Sequence, residues 1–246
     1  MTEERRYMVL TGASRGIGHA TVKLFQEKGW CIFTVSRRHF SEECAWASAR
    51  DSHIQADLAD LSQIDRLAAT VRERLPNGKL HALVNNAGIS PKGPDNSRLG
   101  VADSTADVWT RTLNVNLVST ALIARALLPE LRAARGSIVN VTSIAGSRVH
   151  PFAGVAYAAS KAGLAALTRE MAHEFGGYGV RANAIAPGEI ETAILSPGTD
   201  KLVAAEVPMG RLGDPHEVAE TIHFLCTDQS SYINGAEIHI NGGQHV

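Results

Sequence analysis

Cysteine is scarce in this chain, and its spacing excludes two classes of protein at once. Of 246 residues only Cys31, Cys44 and Cys226 carry a thiol. They are odd in number, far apart and without C-x-x-C spacing, so neither a disulfide framework nor a zinc site is indicated. They read as reduced fillers, and no metal site is expected. A surplus of either charge is also lacking: 24 Lys and Arg stand against 25 Asp and Glu, for a net charge of -1. Such a balance offers no footing for nucleic acid or a membrane surface. Apolar runs stop well short of the ~20 residues a bilayer span needs. Met1 to Arg6 leads almost directly into a strand pattern, with no room for a signal h-region, so the expected location is the cytoplasm, with no membrane partner. No repeat or low-complexity tract appears. The length suits one domain over residues 1–246 with a sizeable core.

What is present is a rhythm. Short β-rich runs at Tyr7 to Leu10, Cys31 to Val35, His53 to Gln55, Leu80 to Val84, Ser137 to Val141, Arg181 to Ile185 and Ile238 to Ile240 alternate with longer helical patterns. That alternation implies βαβ units and a parallel sheet covered on both faces. The expected fold is α/β: a Rossmann-type doubly wound sheet of about seven strands in a three-layer α/β/α arrangement. Trp109 to Arg132 reads as one long helix, apolar on more than one face. The helix after Gly154 combines a stripe of Leu164, Leu167, Met171 and Phe175 with small Ala158, Ala159, Ala162, Ala165 and Ala166. Burial on two sides points to a homo-oligomer, a dimer or a tetramer.

The first strand ends in Thr11-Gly12-Ala13-Ser14-Arg15-Gly16-Ile17-Gly18. Glycines there permit a tight turn and bring backbone N–H groups and a helix N-terminus up to a pyrophosphate. The spacing is G-x-x-x-G-x-G, distinct from the general G-x-G-x-x-G fingerprint. After the second strand that fingerprint calls for an acid to hold the adenosine ribose. This chain instead has Ser36, Arg37 and Arg38, with Arg15 inside the turn. Cations without an acid favour NADP(H) over NAD(H). Asp57 and Leu58, after the third strand, are placed to meet an adenine ring.

Tyr157 and Lys161 stand four apart at the start of an Ala-rich helix, so phenol and ammonium project from one face. An isolated Tyr-x-x-x-Lys reads equally as a solvated helix surface. Its position argues for chemistry. The glycine turn, Asn85 to Gly88, Ser143, and Pro187-Gly188 each follow a different strand, and in a doubly wound sheet the carboxyl ends of the strands form one rim, where ligands bind. A cation beside the phenol favours phenolate; bringing a pKa of ~10 near working pH needs roughly 3 to 4 kcal/mol. Asn116 is the odd polar residue in its helix, with Asn114 competing for the same part and a plain backbone-bonded amide as the alternative.

Taken together, T-G-x-x-x-G-x-G at Thr11 to Gly18, N-N-A-G at Asn85 to Gly88 and Y-x-x-x-K at Tyr157 to Lys161 make the chain resemble a single-domain short-chain dehydrogenase/reductase. The resemblance implies that Tyr157 gives a proton to a carbonyl, or takes one from an alcohol. It implies that Lys161 lowers the Tyr157 pKa and holds the nicotinamide ribose, that Ser143 orients the substrate oxygen, and that Asn116 anchors a relay water. Gly12, Ser14, Arg15, Gly16, Ile17, Gly18, Ala87, Gly88, Pro187 and Gly188 would frame the cofactor, with Asn86 near the adenine-side ribose and Ile190 and Thr192 near the nicotinamide amide. The spacing from Ser143 to Tyr157 is one residue longer than the family's, which leaves Thr142 in contention. The substrate is a small carbonyl or alcohol, or a 3-oxoacyl thioester; a silent NADP(H)-binding sensor is the reading from outside enzymes. The pocket walls fall in the loops Ser90 to Thr105, Ala145 to Gly154 and Glu189 to Met209, the first reading either as a wall or lid or as a mobile excursion.

Overall fold

A computed structural model describes residues 5–37, 52–192 and 195–246. Seven strands form one parallel sheet: β1 (Tyr7–Thr11), β2 (Cys31–Ser36), β3 (His53–Gln55), β4 (Ala82–Asn85), β5 (Ser137–Val141), β6 (Arg181–Pro187) and β7 (Glu237–Ile240), in the order 3-2-1-4-5-6-7. The order reverses between β1 and β4. That is the switch point at which such sheets open a crevice. The helices are α1 (Gly16–Glu27), α2 (Ile64–Arg74), α3 (Ala106–Leu113), α4 (Ser119–Ala126), α5 (Leu128–Ala134), α6 (Val155–Gly176), α7 (Thr199–Glu206) and α8 (Pro215–Cys226).

Strand side chains alternate between two cores, as a period of two demands. Val9, Leu83 and Ile138 join Ile123, Leu127, Met171 and Phe175 on one face. Met8, Leu10, Val84, Val139 and Ile185 join Val22, Phe25, Val218 and Ile222 on the other. The sheet is therefore covered on both sides, as the apolar runs require. The register aligns the strand ends: Thr11 lies beside both Val35 and Asn85, Asn85 beside Asn140, Val141 beside Ile185, and Pro187 beside Ile240.

Two expectations need correction. The fourth strand starts at Ala82 rather than Leu80. The single helix expected from Trp109 to Arg132 is three helices. A π-helical turn, Asn114–Val118, joins α3 to α4, and a bend of 61° at Leu127 separates α4 from α5. Pro129, in the first turn of α5, accounts for the bend: it has no N–H to continue the ladder and its ring displaces the preceding carbonyl. No single helix among the described residues is long and apolar enough to cross a membrane. Cys31 and Cys226 are unpaired, and burial pushes the Cys226 thiol up to about 12. Cys44 lies outside the described residues.

Candidate active site

The glycine turn is held by a clamp at the end of β4. The N–H groups of Asn86 and Ala87 both donate to Thr11 Oγ1 (3.1 Å each), and Asn86 Nδ2 donates to Gly12 O (2.9 Å). Gly12 has φ +73, and a Cβ there would come within 2.8 Å of Ala87 Cα. A Cβ at Gly18 would collide with the Gly12 carbonyl oxygen. Backbone thus packs on backbone, and α1 begins at Gly16 with no side-chain cap and no acid in its first turn. Its first N–H groups and positive dipole end remain available to an anion. Ser14 and Arg15 are exposed on this turn, Ile17 packs into the core behind it, and Thr192 Cγ2 approaches from the far side, 3.0 Å from where a Gly16 Cβ would stand. These residues fit the pyrophosphate of a dinucleotide.

At the end of β2, Ser36 is half-buried and Arg37 exposed, with Ser36 Oγ 3.5 Å from His53 Nε2. Arg38 lies outside the described residues. The Asp57 carboxylate accepts from Ala59 N–H (3.1 Å), and Leu58 buries its side chain in the core, so Leu58 can offer a ligand only its backbone. Asn86 has its amide nitrogen committed to the turn, a structural duty that the sequence reading did not foresee. On the other flank, Gly188 N–H donates to Ile240 O (3.0 Å), and a Cβ on Gly188 would sit 2.6 Å from Asn241 Cβ. Ile190 is buried and bridges to Gly213.

Between these flanks stand Ser143, Tyr157 and Lys161. Lys161 is 3% exposed; its Nζ donates to Val141 O (2.6 Å) and lies 5.6 Å from the centre of the Tyr157 ring. Gly88 leaves room beside it: a Cβ there would stand 3.4 Å from Nζ. Ser143 caps the short turn after β5, with Oγ accepting from Ala145 N–H (3.2 Å), and is hydrogen-bonded to the Tyr157 phenol. Thr142 drops out of contention. Its buried hydroxyl is engaged by Ile185 O (2.7 Å) and Glu237 Oε1 (2.6 Å).

The electrostatics correct the sequence reading. Solvent still reaches part of Tyr157, yet the surrounding protein pushes its pKa above the usual value by desolvation. Ser143 pulls the other way, and the nearby Glu189 carboxylate adds to the rise. Burial also acts on Lys161, lowering its pKa from 10.5 to about 8. In the protein alone, therefore, desolvation outweighs the pull of Ser143 and the phenol is held as an acid.

Asn116 is buried in the π-helical turn. Its Oδ1 accepts from Ile89 N–H (2.8 Å), and its Nδ2 donates to Ile89 O (3.0 Å) and Ser160 Oγ (2.9 Å). Both amide donors are spent on protein, fixing the chain just after Gly88. Asn114 turns instead to Ala59 O (3.1 Å). Thr11 and Asn85, which the motifs named without a role, act here as a clamp on the turn and as the partner of buried Asn140 (2.9 Å), while Asn140 and a pair at the pocket wall, His150 Nε2 and Glu189 Oε1, 2.6 Å apart, went unread in the sequence. Glu189 carried a signal, since it follows the Pro-Gly that ends β6.

The comparisons with known proteins agree with this geometry. A family model described as enoyl-(acyl carrier protein) reductase matches residues 12–245. The chain is 56% identical to the protein FixR of Bradyrhizobium diazoefficiens, over 99% of this chain and 88% of that protein. It is 35% identical to the 3-oxoacyl-[acyl-carrier-protein] reductase FabG of Thermotoga maritima, over 99% of each. A solved oxidoreductase of Brucella ovis, of the short chain dehydrogenase/reductase family and in complex with a partially ordered NAD, is 55% identical with a TM-score of 0.85, covering 97% of this chain and 100% of that one.

Proposed function

The chain belongs to the short-chain dehydrogenase/reductase family, and from that premise we propose an NADP(H)-dependent oxidoreductase that interconverts a carbonyl and a secondary alcohol. One observation carries the reading: a phenol held protonated at the rim, bonded to Ser143 and flanked by a buried amine, beside a glycine turn shaped for a pyrophosphate. A nicotinamide dinucleotide, when bound, supplies or accepts the hydride. The protein supplies the rest. Ser143 holds the substrate oxygen, and Tyr157 transfers its phenolic proton to that oxygen as negative charge develops on it. In the oxidative direction the phenolate takes the proton back. Lys161, next to the phenol and an ammonium at neutral pH, stabilises that phenolate. Gly12, Gly16 and the uncapped start of α1 would receive the pyrophosphate, with Ser36 and the arginines at the ribose end.

The assay is a screen of carbonyls and alcohols by NADPH absorbance; a protein that turns over none of them overturns the reading. The likeness to FabG supports a second reading, reduction of a 3-oxoacyl thioester, and turnover of an acetoacetyl thioester well above free ketones decides for it. Replacing Ser36 with Asp introduces an acceptor for ribose hydroxyls and a charge that repels a 2′-phosphate. The ratio of kcat/KM with NADPH to that with NADH should then fall at least about tenfold, roughly 1.4 kcal/mol; an unchanged ratio overturns the NADP(H) assignment. We also propose that the working unit is a homodimer or homotetramer. Exposed Ala159, Ala162 and Ala166 on α6 and half-exposed Leu117 and Leu122 support it.

A further inference from the structure

The segment between β4 and α3 is a built wall. Gly93 N–H donates to Ser97 O (3.0 Å), Lys92 and Arg98 face each other across an antiparallel bridge, and Asp95 and Asn96 turn the tip with φ of 54 and 58. Residues directly opposite in such a pair carry their side chains on the same face, where like charges destabilise. Here both side chains are cations. Both reach the strip leading into α6: Lys92 Nζ donates to Phe152 O, and Arg98 Nε to Ala153 O (2.8 Å). Lys92 Nζ also stands 3.4 Å from Ser196 Oγ, and Val155 N–H donates to Leu99 O (3.0 Å). The three loops expected to wall the pocket thus meet at Lys92, on the strip of chain that leads into α6 and Tyr157.

Among the described residues, no carboxylate lies within ion-pair distance of either cation. Glu189 is close enough to favour the Lys92 charge, but its carboxylate is engaged by His150. The tautomer follows from the bonds: His150 Nδ1 accepts from Phe152 N–H (3.2 Å), so Nε2 carries the proton shared with Glu189. Burial, in turn, lowers the Lys92 pKa. The half-buried Lys92 ammonium, bonded only to neutral groups, carries a desolvation cost that Glu189 offsets in part, and the exposed Arg98 guanidinium opposite adds a like charge. An anion entering beside them relieves that cost.

Resting on the reading of the site as a carbonyl reductase, we propose that Lys92, with Arg98 across from it, determines specificity by binding the carboxylate of the substrate, so that the enzyme acts on an oxo acid and the matching hydroxy acid. The carboxylate supplies a direct ion-pair partner to Lys92, whose hydrogen bonds go only to neutral groups, while the carbonyl lies against Ser143 and Tyr157. Lys92 is drawn into the wall rather than displayed on the surface, which suits a small anionic group better than the flat acidic face of a carrier protein.

The test uses the full-length protein, NADPH, and oxo acids with one to four carbons between carbonyl and carboxylate, each beside its methyl ester, together with neutral ketones and an acetoacetyl thioester. The expected result is at least one acid favoured over its ester by tenfold or more in kcat/KM. Lys92→Met should remove that preference through KM of the acid and leave the esters within twofold, and Lys92→Arg should restore most of it. Equal losses for acid and ester in Lys92→Met make Lys92 a strut and overturn the inference. So do esters matching their acids in the unmodified protein, or a thioester preferred over every free acid. A protein that reduces neutral ketones but no oxo acid overturns this inference alone; one that reduces no carbonyl overturns the parent reading and the inference with it.

Discussion

Tyr157→Phe is expected to lower kcat about a thousandfold while leaving the Kd for NADPH within a few fold. The substitution removes one oxygen and keeps the ring, so the wall beside Lys161 and the packing at the start of α6 persist. What is lost is the proton that must reach the substrate oxygen as hydride arrives. Positioned proton transfer is worth ~100- to 10,000-fold, and a loss of about a thousandfold lies in the middle of that range. A coupled absorbance assay measures the rate, and NADPH fluorescence measures binding. Retention of more than a few per cent of the rate would mean that another group delivers the proton.

Lys161→Met is expected to separate catalysis from stability. Turnover should fall about a hundredfold or more, since the group that favours phenolate is gone. The ligand-free protein, by contrast, should become more stable. Burial moves the Lys161 pKa from 10.5 to about 8, which corresponds to roughly 3 kcal/mol held against the buried cation at neutral pH. The methionine also leaves Val141 O without its donor, at about 1 to 2 kcal/mol. The net gain is roughly 1 kcal/mol, or about 2 to 4 °C in Tm. The pH dependence gives an independent readout. Between pH 8 and 10.5 the unfolded amine keeps a proton that the folded one has released, so wild-type stability rises with pH across that window. In Lys161→Met that rise should vanish; if it persists, a different group is its source.

Much of this site was legible because its parts fall where strands stop. Gly12, Asn86, Ser143 and Gly188 announce themselves as small or polar residues that close apolar runs, and a parallel sheet brings such endings together. The break at Pro129 also carried a signal, a proline within a helical pattern, and the apolar periodicity on both sides of it masked that signal. The π-helical turn left no trace, since Asn114 to Val118 has the composition of any amphipathic helix. Nor could the sign of the Tyr157 shift be read: neighbour spacing reports the ammonium but not the depth of protein around the ring. Lys92 was invisible for a related reason. Its partners, Phe152 and Ser196, are 60 and 104 residues away and meet it only through loop packing.

The widened turn at Asn114–Val118 sets the phase of everything that follows it. An α-helix advances about 100° per residue, so trimming one residue to make that stretch regular would rotate α4 by the same angle about its axis. Ile123 and Leu127, both fully buried against the sheet, would swing toward water, and exposed Arg125 toward the core. The register of an entire helical face is therefore hostage to the one local irregularity that seats Asn116.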